Sequence, residues 1–205
     1  MVIGCPGRGR REQWGGGGYS YASAVTRDGK VQDASQWSFS VIEHLFDAIR
    51  DATGNRSATY FIYGHSEGGQ FVHRLVLLLP EARYARAVAA NPGWYTMPTF
   101  DVRFPYGLGG SPATEGSLKN SLRREFVLLL GDRDTDPNHK ALRRTPQAMA
   151  QGAFRLERGQ NFFKEGANRA TELNSAFGWR LEVVHGAGHS NGQMSGPAAA
   201  VLMER

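Results

Sequence analysis

Tyr60–Phe61–Ile62–Tyr63–Gly64–His65–Ser66–Glu67–Gly68–Gly69 is the stretch on which the reading of this chain turns. An apolar, β-prone run ends in Gly-x-Ser-x-Gly-Gly, and an apolar stretch of helical character follows over residues 70–79. If Ser66 closes a strand and the chain turns at once into a helix, its hydroxyl stands clear of the sheet edge. Such a turn brings the residues two before and two after the serine close together. Gly64 and Gly68 have no Cβ and fit there. The backbone N–H of Glu67 then lies at a helix N-terminus, where it can point at an oxygen on the carbon that Ser66 attacks. Glycine supplies 26 of the 205 residues, so the pattern alone is unspecific. The strand before it and the helix after it carry the reading.

Working outward, Asp33 or Ser35 can cap a helix over residues 36–53. Val41, Ile42, Leu45, Phe46 and Ile49 share one face of it, and Gly54 supplies the stop. Residues 58–63 read as a strand buried on both faces. The helix after Ser66 ends at Pro80. Tyr84–Ala90 and residues 126–130 read as further buried strands, Trp179–Val184 as a fourth strand, and Val2–Ile3 as the tail of another. Helical patterns occupy residues 144–151 and 160–177, and a short helix follows Pro197. Residues 1–35 read as an irregular N-terminal segment that Trp14, Tyr19 and Tyr21 can pin to the body. Its glycines lack the Gly-Lys-Ser/Thr ending of a phosphate loop. Residues 94–125 show no period and hold Trp94, Tyr95, Phe104 and Tyr106 among glycines and prolines. They read as a lid or binding loop, or as a surface loop tacked down by its aromatics. Alternating strands and helices predict a single α/β domain over residues 1–205, with a mainly parallel sheet flanked by helices.

Composition excludes several classes. Hydrophobic residues at 40% and charged residues at 21% describe a globular chain. No apolar run is long enough to span a bilayer, and residues 1–11 are too short and too polar for a secretory signal. The single cysteine, Cys5, excludes an internal disulfide. No His/acid spacing resembles a metal site, so neither metal nor cofactor is expected. The net charge of +5 comes from scattered arginines, densest at Arg8, Arg10 and Arg11, with pairs at Arg123–Arg124 and Arg143–Arg144. A nucleic-acid surface needs a basic stripe with interleaved aromatics. None is visible, so solvated surface charge is the reading and no nucleic-acid partner is expected.

In parallel sheets, reactive groups gather at the carboxyl ends of strands. Three strand ends here carry, in order, a serine, an acid and a histidine, the types that acyl transfer needs. Ser66, Asp134 and His189 supply them. Asp132 and Asp136 flank Asp134 as rivals, and His185 competes with His189. His65 lies in the turn itself, and His73 and His139 have no obvious partner.

With Gly64–Gly69, a strand ending in Gly131-x-x-Asp134, and Gly188–His189 before the last helix, the chain resembles serine hydrolases of α/β-hydrolase fold, of the esterase, lipase and polyester-depolymerase kind. The likeness runs over residues 36–205. It implies Ser66 as nucleophile, His189 as general base and then acid, Asp134 as the carboxylate that orients it, and the Glu67 N–H as an oxyanion donor. It implies cleavage of a carboxylic ester, small or polymeric, through an acyl-enzyme, with Trp94, Tyr95, Phe104 and Tyr106 shaping the substrate pocket. Thioesters and amides share the chemistry. The family's sheet usually has eight strands, and its second oxyanion donor comes from an early loop that nothing before Ser66 matches. The expectation is therefore a fold incomplete at its N-terminus. The alternative function is a non-catalytic or truncated hydrolase-like protein without a complete oxyanion hole.

Overall fold

The computed structural model describes residues 2–3, 21, 23–26 and 28–204. Its centre is a parallel sheet of β1 (Val2–Ile3), β2 (Tyr60–His65), β3 (Tyr84–Ala90), β4 (Phe126–Gly131) and β5 (Trp179–Val184), in spatial order β1-β2-β3-β4-β5. β1 pairs with β2 at Tyr63 and Gly64. Among the described residues, the α-helices are α1 (Ser38–Thr53), α2 (Glu67–Leu78), α3 (Glu115–Arg123), α4 (Pro146–Met149), α5 (Arg155–Glu172) and α6 (Asn191–Met203).

The strand sequences dictate two cores. Side chains alternate across a sheet. Ile62, Ala87, Ala89, Phe126, Leu128 and Leu130 therefore join Phe39, Phe71, Leu75, Leu118 and Phe162 on one face. Tyr63, Val88, Ala90, Val127 and Leu129 meet Met194, Ala198 and Val201 of α6 on the other. The β2 expectation is met in part: Phe61 is 39% exposed, so the strand is not buried on both faces throughout.

Several expected elements differ. Asp33 caps a separate 3₁₀ turn, Ala34–Gln36, by accepting from the Ser35 N–H, and α1 starts only at Ser38. The expected apolar face of α1 is met in part, since Ile42 is buried and Phe46 packs against the core. Phe39 and Ile42 face the core, whereas Val41, Leu45 and Ile49 are 49%, 42% and 45% exposed. Residues 94–125 contain α3, which periodicity missed because Leu118 and Leu122 are the helix's only large apolar residues. Its start is a capping box between Thr114 and Ser117. α5 begins and ends five residues earlier than the 160–177 pattern. Pro197 lies inside α6 rather than before it. The arginines are not all solvated: Arg74, Arg155 and Arg158 rank among the largest fully buried side chains. Trp14, Tyr19 and the glycine-rich stretch lie outside the described residues. Tyr21 does pack on the body, edge-on to Trp94 at 5.8 Å and to Phe104 at 6.2 Å.

Candidate active site

β2 and α2 meet at Ser66 with no linker. Ser66 has φ 57° and ψ −113°, a strained backbone for a residue with a side chain. The strain is held from both sides: the Ser66 N–H donates to Ala90 C=O at 2.9 Å, and Ser66 C=O accepts the Gln70 N–H at 3.0 Å. The turn is as tight as the glycine spacing implies. A Cβ on Gly64 would lie 2.2 Å from the Gly68 carbonyl oxygen, and one on Gly69 2.8 Å from that of Ala90.

Asp134 follows β4 by three residues and His189 follows β5 by five, so both loops rise from the same sheet end as Ser66. The Ser66 hydroxyl lies 2.9 Å from His189 Nε2. His189 Nδ1 lies 2.7 Å from Asp134 Oδ2. Asp134 is 3% exposed. The carboxylate accepts from Nδ1–H, which leaves Nε2 as the acceptor facing the hydroxyl. The Glu67 N–H is at the N-terminus of α2.

The rivals are engaged elsewhere. Asp132 accepts from the Gly186 N–H at 2.7 Å and from His185 Nδ1 at 3.1 Å. Asp136 accepts from the Asn138 N–H at 2.8 Å. His65 packs against His189 with the rings tilted at 4.9 Å between centroids, and burial pulls its pKa down to about 4. His73 does have partners: its Nδ1 donates to Gly69 C=O at 3.1 Å, and its Nε2 accepts the Thr96 N–H at 3.0 Å. Burial first, and the Arg74 charge next, hold its pKa well below that of a free imidazole. His139 takes a hydrogen bond at Nδ1 from Arg155 at 3.1 Å.

Two residues missed in the sequence reading tie the site together. Asn91, at φ 44°, accepts the Gly131 N–H at 2.8 Å and donates to Gly188 C=O at 3.1 Å. It thereby joins the ends of β3 and β4 to the loop carrying His189. Its sequence signal, Asn-Pro-Gly after a strand, also marks any turn. Arg155, read as one of many surface cations, donates to Asp134 Oδ1 at 3.2 Å.

The four expected pocket aromatics divide. Tyr95 points into the core and stacks on Phe162 at 4.5 Å. Trp94 and Tyr106 pack at 4.7 Å, with the Arg143 guanidinium 4.7 Å from the Trp94 centroid. Arg143 donates to the Tyr106 hydroxyl at 2.7 Å and to that of Tyr21 at 3.1 Å. Phe104 lies beside Tyr21. A cavity of about 520 Å³ lies between this segment and α5, lined in part by Met97, Val102, Tyr106, Gln147 and Lys164. Only Tyr106 of the four lines it, and Ser66 does not. Residues 94–110 are braced internally, for example by Met97 N–H to Tyr106 C=O at 2.8 Å and Leu108 N–H to Thr99 C=O at 2.7 Å.

Among the described residues, no group of three or more His, Cys, Asp or Glu is placed to hold a metal. No helix among them is long and apolar enough to cross a membrane. The expectation that no early oxyanion loop precedes Ser66 bears in part on residues 4–20, which lie outside the described residues.

No family model and no curated protein matches the sequence. Solved structures do. Poly(aspartic acid) hydrolase-1 from Sphingomonas sp. KT-1 is 48% identical at a TM-score of 0.90, over 92% of this chain and 72% of its own. The poly(3-hydroxybutyrate) depolymerase LpqC from Bordetella parapertussis is 37% identical at 0.88, over 95% of this chain and 66% of its own. An IroE-like serine hydrolase from Shewanella oneidensis, 13% identical at 0.52, shares the fold.

Proposed function

The chain belongs to the serine hydrolases of α/β-hydrolase fold, and we propose on that footing that it cleaves a carboxylic ester with Ser66, His189 and Asp134. The observation that carries the reading is the unbroken hydrogen-bonded chain from Asp134 Oδ2 through both nitrogens of His189 to Ser66 Oγ. A serine hydroxyl is a poor nucleophile at neutral pH. As Ser66 Oγ attacks the acyl carbon, its proton passes to His189 Nε2. The buried carboxylate of Asp134 holds the tautomer and stabilises the imidazolium. The carbonyl oxygen becomes an oxyanion, and the Glu67 N–H is our candidate donor to it. Removing one such donor costs about 2.7–4 kcal/mol in comparable sites. Collapse of this intermediate breaks the ester C–O bond, and Nε2–H protonates the departing alkoxide. Water, deprotonated by the same nitrogen, then attacks the acyl-Ser66 ester; as the bond to Oγ breaks, Nε2–H returns the proton to Ser66 Oγ and the acid is released.

The depolymerase likeness supports a polyester chain as one form of substrate. A second reading is an acidic polyamide, the chemistry named for the 48%-identical relative. One feature of this chain favours it. Arg143 is exposed, braced by Trp94, Tyr106 and Tyr21, and has no carboxylate within ion-pair distance among the described residues. A guanidinium held in this way suits a substrate carboxylate. Residues 94–110 would then form a substrate-side wall over a single domain.

Stopped-flow hydrolysis of p-nitrophenyl butyrate tests the ester reading: a burst of nitrophenolate, one per protein, is expected and is lost in Ser66→Ala. Linear release without a burst, equal in both proteins, contradicts the Ser66 mechanism. Arg143→Gln separates the substrate readings. An acidic polyamide predicts a KM for poly(aspartic acid) raised roughly tenfold, with the neutral ester unaffected.

A further inference from the structure

Arg155 opens α5 and is 2% exposed. The position is unfavourable for a cation on three counts. Burial strips the guanidinium of water. The first turn of a helix is the positive end of its dipole. Arg155 Nε is buried with no hydrogen-bond partner among the described residues.

Its contacts explain the placement. The guanidinium splits its two arms, Nη1 donating to Asp134 Oδ1 at 3.2 Å and Nη2 to His139 Nδ1 at 3.1 Å. The next residue of the same turn, Leu156, donates its N–H to Asp134 C=O at 3.3 Å. The other carboxylate oxygen, Oδ2, faces His189 Nδ1 at 2.7 Å. With each oxygen held, the carboxylate plane cannot turn away from the imidazole. His139 is fixed by the same fork. Its Nδ1 also accepts the Ala141 N–H at 3.2 Å, so its proton resides on Nε2, and its ring stands edge-on to His189 at 5.4 Å.

We propose that Arg155 is a positioning residue for hydrolysis, acting through Asp134: it fixes the carboxylate against His189 and offsets its charge, so that the imidazolium returns its proton readily to the leaving group. The inference rests on the assignment of Ser66, His189 and Asp134 made above. Among the described residues, Asp134, His65 and His139 are the titratable groups set against His189, and Arg155 is the cation behind Asp134. Without the guanidinium, the full carboxylate charge faces His189, and the imidazole keeps its proton to higher pH.

The test is the rate of fluorophosphonate labelling of Ser66 from pH 4 to 9, which needs no natural substrate. Arg155→Met is expected to label roughly ten- to a hundredfold more slowly at neutral pH. Its acid limb should move up by about one pH unit. Arg155→Lys keeps the charge but loses the split fork. It should label at an intermediate rate with the acid limb at its wild-type position. A folded Arg155→Met protein with the wild-type acid limb overturns the proposal. If circular dichroism shows that the Met variant does not fold, Arg155→Lys decides. A slower rate at an unmoved acid limb supports the proposal, and the wild-type rate at every pH overturns it. The two failures are distinguishable. Wild-type protein that does not label on Ser66 removes the hydrolase assignment, whereas an unmoved profile on a wild-type protein that labels removes Arg155 alone.

Discussion

At Ser66 the chain accepts a backbone conformation that costs of order 1–3 kcal/mol, and two glycines make it possible. The requirement was legible because a missing side chain leaves a spacing in the sequence. Gly64→Ala puts a methyl 2.2 Å from the Gly68 carbonyl oxygen, and no flexible side chain is there to yield. Ester turnover is expected to fall at least a hundredfold, together with a lower urea midpoint. A variant with wild-type turnover and midpoint contradicts the tight turn. Asn91 and Arg155 were not legible in this way, since their roles depend on partners 40 and 21 residues away. Among Asp132, Asp134 and Asp136, only the likeness to the family's Gly-x-x-Asp favoured Asp134, and their partners in the fold, not the residues themselves, set the three apart. Asn91→Ala strips the buried Gly131 N–H of its acceptor. A loss of about 1–3 kcal/mol in denaturant unfolding is expected. An unchanged midpoint would show that the stitch between the loops contributes nothing.

The elements around the site were read best where apolarity was continuous. β3 has the predicted bounds, its Ala87–Ala90 run buried in the sheet, and β5 has them too although it carries Arg180 and Glu182 and buries only Trp179. Helices were harder to read. α3 carries too few apolar residues for a period to stand out, and α1 carries more than it buries. Of the five apolar residues its sequence offered to the core, Ile42 is buried and Phe46 packs partly buried against it, while Phe39, outside the five, is fully buried. Phe39 meets Phe71 of α2 edge-on at 4.8 Å. Phe39→Ala should therefore cost about 3–5 kcal/mol. Leu45→Ala, on the exposed side, should cost under about 1 kcal/mol. Equal losses in thermal unfolding would place the wrong face of α1 inward. Pro197 in α6 removes one helical N–H donor, and a proline inside a helix costs about 3 kcal/mol or more. The packing of Met194, Ala198 and Val201 on the sheet opposes that cost.

At the scale of the whole molecule, the sheet brings together three side chains from distant parts of the chain and buries imidazoles on the way. His65 has its pKa pulled down to about 4 and His73 well below the ordinary value, each chiefly by burial. Unfolding frees both to titrate near the reference value of 6.5. Their contribution to stability is therefore complete above that pH. It is lost as pH falls toward the folded values, because the unfolded chain then binds the protons. The thermal midpoint should drop between pH 6.5 and about 5, before most carboxylates titrate, and a flat midpoint across that window contradicts it. The central claim is that Ser66 becomes a nucleophile only when β2, β4 and β5 bring His189 and Asp134 to it. Its most direct test is fluorophosphonate labelling followed by peptide mass mapping. The account predicts modification on the peptide containing Ser66 in the folded protein, none in Ser66→Ala, and strong slowing in His189→Ala. Equal labelling of wild-type and Ser66→Ala protein would contradict it.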